Sequence, residues 1–144
     1  DADLGRISLQ CGRRNDALKL WLAWREIGDE GWARRCEEFI ELADYLQSLI
    51  EQQPEMEIMS TRKWTNVCFR MKSVNIDPNV LNDKIRDEIM KRGKWMISKA
   101  MIDGQVILRP VIANSSVSKK SLQGFIEECL TCLKTVQDGE MLIQ

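Results

Sequence analysis

A dense apolar helix near the amino terminus constrains the fold of this 144-residue chain more than any other segment. Asn15 and Asp16 are residue types that cap helices, and apolar residues then recur at helical spacing from Ala17 to Trp24. Apolar side chains occupy much of the circumference, so we expect this helix to be buried against more than one neighbour. Gly28 is a plausible stop for it.

A second helix is predicted from about Asp29 to the residues just before Pro54. Its outward face is charged, whereas its inward face carries a stripe at three-four spacing. The stripe consists of Trp32, Cys36, Phe39, Ala43, Leu46 and Ile50.

Beyond Pro54 the pattern changes to alternation, which predicts strands over residues 56–59 and 65–72. Asp77-Pro78 opens a helix that Gly93 ends. The inward residues of these elements are Val67, Phe69 and Met71 in the second strand and Leu81, Ile85 and Ile89 in the helix.

Asp103-Gly104 separates apolar segments 95–102 and 105–113, which is a strong hairpin signal. Pro110 within the second segment has no N–H for a ladder, so it predicts an edge position or a bulge. A last helix follows, with Ser118 and Ser121 as possible caps and a short tail after Asp138. Its apolar face comprises Leu122, Phe125, Ile126, Cys129, Leu133 and Val136.

The element order predicts an α+β architecture in two parts. Residues 1–53 supply two long connecting helices. Residues 54–144 form a small α+β domain with a mixed or antiparallel sheet and helices packed on one face.

Composition argues against several functional classes. Histidine is absent, which removes the usual general base and the usual zinc ligand, so no metal site is expected. The odd count of five cysteines argues against a disulfide framework and favours the reducing cytoplasm. The net charge of -1 gives no reason to expect nucleic acid as a partner. No apolar run approaches the roughly 18–20 residues of a membrane span.

Arg109 is the strongest candidate for a binding residue. It lies in the apolar run 106–112, where a charged side chain must be paired or point into a polar site. A guanidinium recognises a carboxylate through two parallel hydrogen bonds. The alternative is a solvent-facing arginine on an edge strand, which the Pro110 argument supports. The residues alone leave the two interpretations about equal.

Other conspicuous residues are better explained by packing. Cys129 and Cys132 form a C-x-x-C spacing on an apolar helix face, which favours a core pair over a redox or metal role. Trp21, Trp24 and Trp32 are predicted to be core residues. Trp64 and Trp95 flank strands and are assigned no function. Arg13 and Arg14 follow a glycine and could contact a carboxylate or phosphate, although solvated or structural pairing is favoured.

Three segments together resemble the group II pyridoxal-phosphate-dependent amino-acid decarboxylases, in the family's order and spacing. They are Gln10-Cys11-Gly12-Arg13-Arg14 with Asp16-Ala17-Leu18-Lys19-Leu20-Trp21, then Trp64-Thr65-Asn66-Val67-Cys68-Phe69, then Leu108-Arg109-Pro110-Val111-Ile112-Ala113-Asn114-Ser115. The Gln-Cys-Gly-Arg version is similar to the branch that acts on glutamate, cysteine sulfinate or aspartate. Ile107 and Leu108 depart from the aromatic residues common there before the arginine, so the substrate within the branch stays open.

The resemblance implies a cytoplasmic fold-type-I homodimer with pyridoxal 5'-phosphate in active sites at the subunit interface. It implies that Arg109 binds the substrate carboxylate and that Cys11, Gly12 and Arg13 support the active site or the interface. It places the cofactor lysine upstream, so this chain would be the carboxy-terminal part of the enzyme. Residues 1–53 would be the end of its large domain with the connecting helices, and residues 54–144 its carboxy-terminal small α+β domain. The chain is expected to hold no catalytic residue and, alone, neither to bind cofactor nor to turn over substrate.

Two alternatives remain at this point. One is a non-enzymatic α+β module that binds a partner protein through its first helices; such a stand-alone domain should cover its apolar first helix. The other is a decarboxylase of the same family that acts on an aromatic or diamino acid.

Overall fold

A computed structural model describes residues 14–141 of the chain. Cys11, Gly12 and Arg13 lie outside the described residues. The helices are α1 (Asp16–Glu51), α2 (Pro78–Arg92) and α3 (Lys119–Met141). The strands are β1 (Met56–Ile58), β2 (Phe69–Met71), β3 (Ser98–Ile102) and β4 (Gln105–Arg109). None of the helices in the described range is long and apolar enough to cross a membrane.

The chain divides into two compact units, Asp1–Cys36 and Glu37–Gln144. The predicted division between residues 53 and 54 concerns the domains of a larger enzyme, and it stays a prediction.

α1 begins and breaks at the residues that the sequence indicates. The Leu18 backbone N–H donates to Asn15 Oδ1 at 3.2 Å, so Asn15 caps the first turn. Gly28 has φ 66° and ψ 179° and interrupts the helical geometry. A positive φ of this kind favours glycine, which has no Cβ. The prediction of two consecutive helices separated at Gly28 is therefore confirmed.

The predicted burial of the first helix is wrong for this chain. Leu20, Trp21 and Leu22 keep 55%, 57% and 54% of their surface exposed, and Trp24 is also exposed. Trp21 and Trp24 are thus not core residues, although the Trp24 and Trp32 rings lie 5.5 Å apart. Helical periodicity identifies a face that is suited to burial, but it does not say which chain supplies the covering surface.

In the second unit the strands form an antiparallel sheet in the order β1-β2-β4-β3. Asp103 and Gly104 connect β3 to β4 with φ values of 49° and 75°. Two consecutive residues with positive φ are typical of the tight turn that joins twisted antiparallel strands. The predicted hairpin is confirmed.

The edge position inferred from Pro110 is wrong. β4 lies between β2 and β3, and it ends at Arg109, one residue before the proline. β3 begins at Ser98, directly opposite Arg109, so no strand partner requires an N–H from Pro110. The Pro110 carbonyl still accepts a hydrogen bond from the Val67 N–H at 3.3 Å.

One hydrophobic core joins the helices to a single face of the sheet. Asp77 caps α2 through the N–H groups of Asn79 and Val80, and Ser118 accepts from the Ser121 N–H at the start of α3. The predicted tail after Asp138 is instead helical to Met141. The core includes Ala43, Leu46 and Ile50 of α1, Leu81, Ile85 and Ile89 of α2, Phe125, Cys129 and Cys132 of α3, and Met56, Val67, Phe69, Met71, Leu108 and Ile112 of the sheet. The predicted α+β class is confirmed.

Candidate functional site

The pairing between β2 and β4 determines which residues surround Arg109. Phe69 pairs with Leu108, and the same register continues past the strand ends to a bridge between Asn66 and Val111. Phe69 and Leu108 belong to the core, so alternation directs the side chains of the residues next to them in each strand to the opposite face. We call this the arginine face; its residues are Asn66, Cys68, Arg70, Ile107 and Arg109.

Arg109 has an unsatisfied side chain at the end of β4. It is half-buried, and its Nε is buried without a hydrogen-bond partner. Among the described residues no carboxylate forms an ion pair with its guanidinium, while its backbone carbonyl accepts from Ser98 Oγ at 2.9 Å. An unpartnered buried donor costs about 1–3 kcal/mol. The arrangement is suited to an anion supplied by another molecule or segment.

Arg70 lies on the same face but is already engaged. Its Nε donates to Glu57 Oε1, and its Nη1 donates to Gln105 Oε1 at 2.5 Å. The two arginines therefore differ: the guanidinium of Arg70 is neutralised within the sheet, whereas that of Arg109 is not. The sequence pattern placed Arg70 on the polar side of its strand but did not distinguish it as paired.

Asn66 is a second unsatisfied residue on the arginine face, and the sequence pattern did not single it out. Its Oδ1 is buried without a hydrogen-bond partner. Its backbone N–H closes a tight turn by donating to the Lys63 carbonyl at 3.1 Å. Trp64 in that turn has φ 55° and is 76% exposed. The only sequence signal was the place of Asn66 opposite the core-facing residues of an alternating strand.

The cysteine pair is a core feature, as predicted. Cys129 and Cys132 are fully buried free thiols. Burial raises the pKa of the Cys129 thiol above its usual range, and the nearby Cys132 and Glu128 add to the effect. In the part of the chain that the structure describes, no group of three or more metal-binding side chains comes together.

Two open concavities among the described residues do not fit pyridoxal phosphate, which needs a lysine to carry it. One open concavity, beside Asp44 and Arg62, has no lysine in its lining. A second includes Lys94, whose Nζ lies 3.4 Å from Glu128 Oε2 and whose side chain is 70% exposed. A lysine that is both ion-paired and exposed does not fit the role.

Comparison with known proteins identifies a family that the chain resembles. The model of the "Pyridoxal-dependent decarboxylase conserved domain" matches residues 1–72. The acidic amino acid decarboxylase of Bos taurus is 27% identical over 138 residues, covering 88% of this chain and 26% of that protein. The cysteine sulfinic acid decarboxylase of Homo sapiens is 30% identical over 138 residues, covering 88% of this chain and 28% of that protein. The chain thus spans about a quarter of the length of these relatives.

Solved structures agree with the fold. Oryza sativa TDC, crystallised with PLP and tryptamine, superposes with a TM-score of 0.80 at 20% identity, over 93% of this chain and 30% of that chain. Mouse CSAD in apo form superposes with a TM-score of 0.77 at 26% identity, over 87% of this chain and 29% of that chain. The family resemblance of the three sequence segments is confirmed, and the chain belongs to the pyridoxal-dependent decarboxylase family.

Proposed function

We propose that this chain is the carboxy-terminal part of a decarboxylase that releases carbon dioxide from a small acidic amino acid. Pyridoxal phosphate, when bound to the complete enzyme, stabilises the negative charge left at the reacting carbon. The contribution of this chain is to bind and orient the substrate through Arg109 and to provide the scaffold that holds this arginine. Residues that carry the cofactor belong to other segments of the enzyme.

The unsatisfied state of Arg109 carries the proposal. Its Nε is buried without a partner, while Arg70 on the same face is neutralised by Glu57. An unpaired guanidinium beside an apolar strand can bind a carboxylate through charge-assisted hydrogen bonds. We infer that the guanidinium group of Arg109 pairs with the substrate carboxylate.

Two relatives support the proposed substrate class. The matches to the acidic amino acid and cysteine sulfinic acid decarboxylases each cover 88% of this chain. Oryza sativa TDC shares the fold at 20% identity, which carries no substrate assignment. We therefore favour glutamate, aspartate or cysteine sulfinate over an aromatic or diamino acid.

The exposed apolar residues of α1 support assembly with the rest of the enzyme. Leu20, Trp21 and Leu22 are each more than half exposed, which is unusual for three consecutive large apolar side chains. We propose that the complete enzyme is a homodimer and that these side chains lie in its subunit interface. We also propose a cytoplasmic location, which the free thiols of Cys36, Cys68, Cys129 and Cys132 support.

The test is carbon dioxide release by the complete enzyme from its full reading frame, loaded with pyridoxal phosphate. Glutamate, aspartate and cysteine sulfinate are compared with tryptophan, tyrosine and 2,4-diaminobutyrate at equal concentrations. We expect at least one acidic substrate to exceed every aromatic and diamino substrate in kcat/KM by more than about tenfold, as a buried charge pair requires. If the enzyme preferred an aromatic or diamino acid, the substrate assignment would be overturned, but the proposed decarboxylation would still stand.

Arg109→Lys in the same enzyme tests the site. Lysine keeps the charge but loses the planar fork, so kcat/KM is expected to fall by roughly 10- to 100-fold, in line with a lost charge-assisted hydrogen bond. Arg86→Lys is the matched control, because Arg86 also has a buried unpartnered Nε but pairs with Asp87 at 3.1 Å. Equal activity of the two variants would remove Arg109 from the substrate site.

A further inference from the structure

We propose that Asn66 is a positioning residue for Arg109, whose Nε–H donates to Asn66 Oδ1 when the substrate carboxylate is bound. The inference rests on the role of Arg109 proposed above and adds a residue to that site. It starts from two buried atoms of complementary type, the Nε donor of Arg109 and the Oδ1 acceptor of Asn66, each without a hydrogen-bond partner.

Strand register brings the two side chains within reach of each other. Asn66 is opposite Val111, two residues from Arg109 on the same chain segment, so the side chains are diagonal neighbours on the arginine face. Diagonal neighbours in an antiparallel pair lie about 7–8 Å apart at the backbone, a span that long side chains bridge. An arginine side chain is long enough to bring its Nε close to the amide.

The surroundings direct Arg109 towards Asn66. The same register sets Cys68 directly opposite Arg109, and its short side chain does not reach past the neighbouring residues of β2. The other diagonal neighbour is Arg70, which carries the same charge and is locked to Glu57 and Gln105. A guanidinium has no acceptor to offer, so of the two diagonal neighbours only Asn66 can accept a hydrogen bond from Arg109 Nε.

A hydrogen bond at Nε leaves the two terminal nitrogens of Arg109 for the carboxylate. An arginine whose stem is held in this way presents both Nη groups as a preorganised fork. The pairing also satisfies two buried groups, whose isolation in the folded protein is unfavourable. The amide therefore acts through the arginine and does not itself need to touch the substrate.

The test is a double-mutant cycle in the complete enzyme loaded with pyridoxal phosphate. Asn66→Leu removes the acceptor at nearly constant volume, and we expect it to raise KM for the preferred acidic substrate about tenfold, as for one charge-assisted hydrogen bond. We expect kcat to change by less than about twofold, since the interaction is present before and during the reaction. In an Arg109→Lys background the same substitution should change KM by less than about twofold, because lysine has no Nε–H to hold.

Asn79→Leu is the structural control. Asn79 accepts from the Val106 N–H at 2.7 Å and donates to the Gly104 carbonyl at 3.1 Å, so it stabilises the hairpin away from the arginine face. We expect this variant to melt at a lower temperature with KM unchanged, which separates destabilisation from positioning. If Asn66→Leu does not fold, Asn66→Ala is measured in the same cycle.

The outcomes distinguish the two proposals. An unchanged KM in the Asn66→Leu enzyme would overturn the role of Asn66 alone. So would an effect of Asn66→Leu on KM that is equally large with and without the Arg109→Lys substitution. An Arg109→Lys enzyme with full activity would instead overturn the site on which this inference depends.

Discussion

The Asn82 side chain binds both backbone groups of Met71. Met71 N–H donates to Asn82 Oδ1 at 2.8 Å, and Asn82 Nδ2 donates to the Met71 carbonyl at 3.0 Å. Both residues are fully buried, and Met71 has no pairing residue on the β4 side of β2. The Asn82 amide of α2 therefore supplies the hydrogen bonds that a neighbouring strand would otherwise provide. This contact holds β2 against the helical layer. Asn66 and Cys68 lie just before β2 in the chain.

Replacing Asn82 with leucine tests that contact. Asn82→Leu leaves the Met71 N–H and carbonyl buried and unpaired, so the free energy of unfolding should fall by about 2–5 kcal/mol. Urea unfolding measures it, with Asn75→Leu as the control, because Asn75 is exposed and should change stability by less than about 0.5 kcal/mol. Equal stability of the two variants would contradict the structural role of Asn82.

A pair of glycine substitutions should change stability in opposite directions. Gly104 has φ 75° in the hairpin turn, so Gly104→Ala should lower the free energy of unfolding by about 1–2 kcal/mol. Gly124 lies within α3 with no heavy atom within 4 Å of an added Cβ, so Gly124→Ala should raise it by about 0.5–1 kcal/mol. Thermal unfolding of both variants measures whether each substitution raises or lowers the stability. A stabilising Gly104→Ala would contradict the turn geometry.

The buried Cys129 thiol predicts a pH dependence of stability. Its pKa is raised by burial in the folded protein, so between the unfolded and folded pKa values the unfolded state binds fewer protons. The free energy of unfolding is therefore unaffected by this thiol below about pH 8.5 and falls as pH rises above it, by about 1.4 kcal/mol per pH unit. Comparing Cys129→Ala with the unmodified protein in urea between about pH 7 and 10 isolates this slope. Identical pH profiles would refute the contribution.

A charge on the exposed face of α1 tests the proposed assembly. Leu20→Glu introduces a carboxylate among large exposed apolar residues, and burying that charge at an interface without a partner is unfavourable. In the complete enzyme we expect the dimer dissociation constant to rise more than about tenfold, measured by sedimentation. Ala33→Glu changes the charge equally at another exposed position of α1 and should leave the constant unchanged. An intact Leu20→Glu dimer would place the interface elsewhere.

Local signals predicted most elements of the fold. Asn15, Gly28, the Asp77-Pro78 pair and the Asp103-Gly104 turn each act through the backbone conformations of their own neighbourhood. Their structural consequences can therefore be predicted from a few adjacent residues. The α+β class follows because the elements they delimit have an apolar face to bury.

Strand order could not be predicted in this way. Pro110 indicated an edge strand, yet β4 is interior. It pairs with β3 on one side and with β2 on the other, although α2 and β3 separate β2 from β4 in the sequence. The sequence also indicated burial of Trp21 and Trp24, which are exposed in this chain. Periodicity identifies an apolar face and a proline identifies a missing donor, but neither identifies the segment that lies beside it.

In the candidate site, too, some features could be predicted from the sequence and others only from the folded chain. The order of residues was enough to place Arg109 within an apolar strand and to relate residues 1–72 to the pyridoxal-dependent decarboxylases. The pairing of Arg70, and the burial of Arg109 Nε and Asn66 Oδ1 without partners on one sheet face, became visible only in the folded chain. Strand pairing and burial depend on contacts between residues far apart in the chain, whereas caps and turns depend on adjacent residues.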